Sequence, residues 1–143
     1  MQPDKITEKI GFRLKKISLI KFFIENKLDS SSIDEKEIKF DIKIGLSIDD
    51  KNSIINVDTY VELSKDNYKL CELITRISYE IKELEKLQKS DDKEINLPDI
   101  FVTTLISISI STTRGILSEK TKGTFLEGAY LPIVDPKKFV RGN

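Results

Sequence analysis

The sequence predicts a four-stranded antiparallel sheet with one buried face that needs a cover, an α+β fold if that cover is helical. Two observations carry this reading. Ile38, Phe40, Ile42, Ile44, Leu46 and Ile48 alternate without a break with Lys39, Asp41, Lys43, Gly45, Ser47 and Asp49, the pattern of a strand with one face buried and one wet. Two further alternating runs follow at once, separated only by the polar stretches DDKNS at 49–53 and KDN at 65–67. Turns that short join antiparallel neighbours, so strands two to four form a meander.

Each element has its own signal. FRLKKISLIKFFIEN, from Phe12 to Asn26, is rich in β-branched and aromatic residues and reads as a first strand, with a bulge where the alternation changes phase between Lys15 and Ser18. NKLDSSSIDEKE is a polar loop. In the third strand Ile55, Val57, Thr59, Val61 and Leu63 form the inward row, and in the fourth Cys71, Leu73, Thr75, Ile77, Tyr79 and Ile81. The same parity turns Leu70, Glu72 and Ile74 to the outer face, which Phe23 shares, so large apolar groups sit there among charges.

After the charge-dense stretch KELEKLQKSDDKEIN comes NLPDIFVTTLISISISTTRG. Its ISISIS core alternates like a strand. On a helical wheel, however, Phe101, Val102, Leu105, Ile106, Ile108 and Ile110 share one arc, with Thr103, Thr104, Ser107, Ser111 and Arg114 opposite. Asn96 as a cap, Pro98 in the first turn and Gly115 past the end bracket that helix; periodicity alone leaves strand and helix both open. In the tail, Asp135 followed by Pro136 starts a second helix of barely two turns.

Composition narrows the function. The 143 residues suit one domain, 1–143. The 24 basic and 24 acidic residues cancel, which gives no reason to expect nucleic acid or anionic lipid as partner. The chain has no histidine and one cysteine, which removes the commonest general base and metal ligand and any internal disulfide. RGILSEKTKG lacks the spacing of a phosphate loop, Cys71 lies in an inward row as a packed thiol, and Asp91 with Asp92 reads as a solvated acidic pair. No catalytic constellation and no cofactor follow. The charged N-terminus lacks the apolar core of a signal peptide, so the expected location is cytoplasmic. The helical arc from Phe101 to Ile110 is wider than one four-stranded sheet requires, which predicts an oligomer with Phe101, Leu105, Ile106 and Ile110 at its interface.

ISLIKFFIEN, EIKFDIKIGLSI, KLCELITRISYEI, LPDIFVTTLISISISTTRG and LPIVDPKKF, in that order and spacing, resemble the SecB-type export chaperones from about Phe12 to Phe139. The resemblance implies that 98–114 is a helix covering the sheet, and that the chain forms a homotetramer, a dimer of dimers. It further implies an ATP-independent holdase for unfolded or precursor polypeptides that delivers them to a SecA-type secretion motor. On that footing the outer face at Leu70, Glu72 and Glu25 is the partner-docking surface, while Tyr79, Ile81 and Leu84 near the groove between helix, crossover and sheet contact clients. Two departures stand out: Lys21 falls where the family has an acid, and the second helix is cut to about 135–143. They give weight to a different class, a dedicated binding protein for a single partner such as an antitoxin or mobile-element protein.

Overall fold

A computed structural model describes residues 10–25, 35–84 and 97–140. Strands β1 (Phe12–Ile24), β2 (Lys39–Asp49), β3 (Ile54–Lys65) and β4 (Tyr68–Ile81) form one antiparallel sheet in the order β1-β4-β3-β2, and helix α1 (Asp99–Lys120) follows. The α+β architecture is the expected one. In the β3–β4 turn, Asp66 and Asn67 both take positive φ, 50° and 64°, the left-handed pair that matches the twist of a two-residue hairpin.

The inward rows of β3 and β4 are fully covered. Helix α1 lies over the central strands and divides the core in two. Toward its N-terminus, Phe101 and Leu105 pack with Ile55, Val57, Ile77, Tyr79, Ile81 and Leu84. Further along, Ile106, Ile110 and Leu117 pack with Val61, Leu63, Leu70, Cys71 and Leu73, closed by Leu126, Ala129 and Leu131 from the segment after the helix.

Between the two clusters runs a seam of hydroxyls. Thr75 Oγ1 meets Thr113 Oγ1 at 2.7 Å, and the Tyr79 hydroxyl lies 2.7 Å from Ser109 Oγ and donates to the Leu105 carbonyl at 3.2 Å. Ser109 and Thr113 are one turn apart and Tyr79 and Thr75 four residues apart on β4, so the two pairs fix where the helix sits on the sheet. Thr59, directly opposite Thr75, has a buried hydroxyl without a hydrogen-bond partner. A buried orphan hydroxyl costs about 1–3 kcal/mol. Thr59→Val, which keeps the shape and removes the polar atom, is therefore expected to raise the urea midpoint, by about 1 kcal/mol in unfolding free energy.

The helix departs from expectation at both ends. It does not stop before Gly115 but runs on to Lys120, and a Cβ at Gly115 would meet nothing within 4 Å. Gly115 is an exposed interior position rather than a terminator. The end comes at Thr121, whose N–H and hydroxyl both donate to the Leu117 carbonyl. At the start, Pro98 occupies the cap position in extended conformation; Asn96 lies outside the described residues, as do Asp91 and Asp92. The weak helix formers are accommodated because Thr104 and Thr113 donate back to the Ile100 and Ser109 carbonyls. The expected second helix is a single 3-10 turn, Pro136–Phe139, whose Asp135 cap accepts from the Lys137 N–H at 3.0 Å.

Candidate polypeptide-binding site

Strand β1 is where the sheet lacks cover. Its register against β4 shifts twice, between Leu14 and Lys16 and between Leu19 and Lys21. The first shift falls where the broken alternation predicts a bulge, with Lys15 as the extra residue; the second makes Ile20 extra. Each bulge resets the parity. As a result Phe12, Leu14, Ile17, Leu19, Phe22 and Ile24 all pair with inward residues of β4, giving an inner face of six apolar groups.

Helix α1 meets this row near both of its ends. Phe12 makes edge contacts with the rings of Tyr79 and Phe101, at centroid distances of 6.0 and 5.5 Å. At the other end Lys120 Nζ stands 5.9 Å from the centre of the Phe22 ring. Between these anchors Leu14, Ile17 and Leu19 remain 50%, 46% and 40% exposed. A contiguous exposed apolar strip of this kind makes the middle of β1 the candidate contact surface of the subunit. Strict period-two reading misses it, because two bulges break the alternation that would have placed these residues on one face.

The residues expected to contact clients lie elsewhere. Tyr79, Ile81 and Leu84 are buried in the subunit's own core, so none presents a surface. The burial raises the Tyr79 phenol above its usual pKa, with Ser109 pulling the other way. Phe101, Leu105, Ile106 and Ile110 are likewise consumed within the subunit, against its own sheet. The apolar arc is wide because the two clusters of the core take different α1 residues, Phe101 and Leu105 in one and Ile106, Ile110 and Leu117 in the other. Over its middle turns α1 leaves an uncharged face outside, with Ile100, Thr104, Ser107, Ile108, Ser111 and Gly115 exposed, while Asp99, Glu119 and Lys120 are exposed at its ends. By length and composition α1 could cross a membrane; its inward face and its paired hydroxyls mark it as the helix that covers the sheet.

The outer face requires a further correction. Leu70 is fully buried, not outward. Leu63 pairs with Cys71 and Ser64 with Lys69, which leaves Leu70 as the extra residue of a bulge in β4. Leu70 and Cys71 together oppose Leu63 and both enter the core. Glu72 does stand on the outer face. Lys21 Nζ lies 2.8 Å and Lys69 Nζ 3.4 Å from its Oε1, and the Lys21 hydrogen bond holds its carboxyl below the usual range. That ion pair's contribution is present above the unfolded carboxyl's pKa and is lost as the pH falls through the lowered folded value. Glu25 is half-buried, its N–H donating to the Leu70 carbonyl at 2.8 Å.

Among the described residues no group of three or more His, Cys, Asp or Glu is placed to hold a metal ion. Burial, with Glu72 adding to it, pushes the Cys71 thiol up to about 11. Since the thiolate is the reactive form, native protein at neutral pH is expected to leave a thiol reagent such as DTNB unconsumed. One equivalent should react once urea unfolds the chain, and prompt reaction of the native protein would contradict the packing.

A four-stranded antiparallel sheet under one long helix, closed by a short terminal turn, is the SecB-like fold. One similar solved structure is a SecB-like chaperone of Mycobacterium tuberculosis in complex with a ChAD peptide from the HigA1 antitoxin: TM-score 0.55, 11% identity, 87% of this chain and 86% of that one covered. Another is a protein of unknown function from Streptococcus agalactiae, with a TM-score of 0.43 at 10% identity, over 88% of this chain and 98% of that one. No protein-family model matches the sequence, and no curated protein matches it.

Proposed function

We propose that this chain is a holding chaperone that takes nonnative polypeptide segments onto the uncovered middle of β1, without nucleotide. The observation that carries the reading is the half-exposed row of Leu14, Ile17 and Leu19 on the face of the sheet that is otherwise core. Passive burial of exposed apolar segments needs greasy surface and no catalytic group. The likeness in fold to a chaperone solved with a bound peptide supports the same reading. In this proposal the protein works in the cytoplasm as a homo-oligomer, dimer or tetramer, whose subunits meet through the uncharged outer face of α1. The test is aggregation of a guanidinium-unfolded client on dilution. Suppression at stoichiometric chaperone, unchanged by ATP, is expected; equal aggregation at a molar excess would overturn the proposal.

The Lys21–Glu72 pair favours a second reading, a chaperone dedicated to one partner. It neutralises the acidic group that the resemblance assigns to motor docking. The fold neighbour is bound to a peptide from an antitoxin, and a single protein of that kind is the partner we infer under this reading. One stoichiometric partner in a pull-down from the source cell would select it, and many unrelated precursors would select the general holdase with delivery to a secretion motor.

A further inference from the structure

We propose that the clients of the β1 strip are extended segments in which acidic residues alternate with apolar ones, the acids answering unpaired lysines beside that strip. This rests on the holding role proposed above and names the class of segment it selects. In a chain whose 24 basic and 24 acidic residues cancel, β1 holds Arg13, Lys15, Lys16 and Lys21 and no acid, whereas β2, β3 and β4 each carry both signs. Two of the four cations are already matched, Arg13 by Glu80 and Lys21 by Glu72. Lys15 and Lys16 are exposed and form no ion pair among the described residues. They fall between Leu14 and Ile17, both about half exposed. Lys15 is the extra residue of the first bulge, and Lys16 sits in the outward row opposite Ser78.

The strip ends in further positive charge. Phe12, its first residue, also lines a hollow of about 780 Å³ at the end of the sheet, whose charged walls are Arg13, Lys51, Glu80 and Lys82. Glu80 is taken by Arg13, and neither lysine has an ion-pair partner among the described residues. Asp49 and Asp50, just before Lys51, lie outside the lining, and Asp49 accepts from the Asn52 side chain at 2.7 Å. An extended chain sends successive side chains to opposite sides. A segment lying along β1, an edge strand, can therefore set apolar groups on Leu14, Ile17 and Leu19 and turn the residues between them toward the edge. A carboxylate there stays in water beside Lys15 or Lys16, whereas an ammonium group meets like charge. Rim charges of this kind add little affinity per pair, but they select among partners and speed their encounter.

Synthetic peptides that share one apolar spine and carry Glu, Gln or Lys at every intervening position, titrated against the full chain at low salt, test this. The Glu peptide should bind about fivefold tighter than the Gln peptide, and the Lys peptide about fivefold weaker, with the differences closing at high salt. Lys15→Glu/Lys16→Glu, which leaves the apolar row in place, should reverse the order. Equal affinity of the peptides, or a preference for Lys, would overturn this inference and leave the holding role standing, as would a Glu preference that survives the double exchange. Failure of every peptide to bind would overturn the inference together with the holding role of β1.

Discussion

Leu70→Arg is expected to leave no folded protein, whereas Glu72→Lys, two residues away, is expected to fold normally. Leu70 has no solvent exposure and packs with Val61, Leu63, Leu73 and the α1 residues of one core cluster. Truncation to Ala there should cost about 2–5 kcal/mol, from lost burial and the cavity left behind. A guanidinium in the same place would be an unpaired buried charge, costing on the order of 5 kcal/mol or more, comparable with the whole stability of a small domain. Glu72→Lys replaces a surface ion pair by repulsion with Lys21 and Lys69, worth roughly 1 kcal/mol or less. Circular dichroism and urea unfolding of the three variants check this. A soluble, cooperatively folding Leu70→Arg protein would mean that Leu70 faces outward, as simple alternation suggests.

The contrast shows which features a sequence can carry. Strict alternation located β2, β3 and β4, because one buried face imposes period two on any strand that keeps its register. It failed at each bulge. A single extra residue in β4 moved Leu70 from the outer face into the core, and two in β1 gathered Phe12, Leu14, Ile17 and Leu19 onto one side. Bulges are set by tertiary packing, and only the first in β1 left a visible break in the pattern. The site residues suffered from a different limit. Tyr79, Ile81, Phe101 and Leu105 were recognisably apolar and inward, but apolar periodicity does not distinguish a residue covered by its own helix from one left for a partner. That difference depends on how far α1 reaches across the sheet. Its contacts with β1 at Phe12 and Phe22 are a property of helix placement, held in turn by the hydroxyl pairs at Ser109 and Thr113.

If the open stretch of β1 is where clients bind, Leu14→Glu/Ile17→Glu should abolish aggregation suppression while leaving the chain folded. Both side chains are about half exposed, so only part of their burial energy is at stake on folding, roughly 1 kcal/mol for each. For an unfolded client the same two positions change from apolar contact to two desolvated carboxylates. A carboxylate forced against apolar surface without a partner costs several kcal/mol, which corresponds to a loss of at least a hundredfold in affinity. The neighbouring Lys15 and Lys16 would soften this only at the exposed rim, where charge pairs are worth little. Isothermal titration of an unfolded client, together with urea unfolding of the variant, separates the two effects. A hundredfold loss of binding with a stability loss of about 2 kcal/mol or less is the expected result. Full binding by a folded double variant would move the client surface away from β1, and a variant that failed to fold would show that the strip is already buried against another subunit. Ile17→Ser, too small a change to repel anything, distinguishes these cases: it should weaken client binding by less than the double exchange, yet leave unfolding within about 1 kcal/mol of the parent.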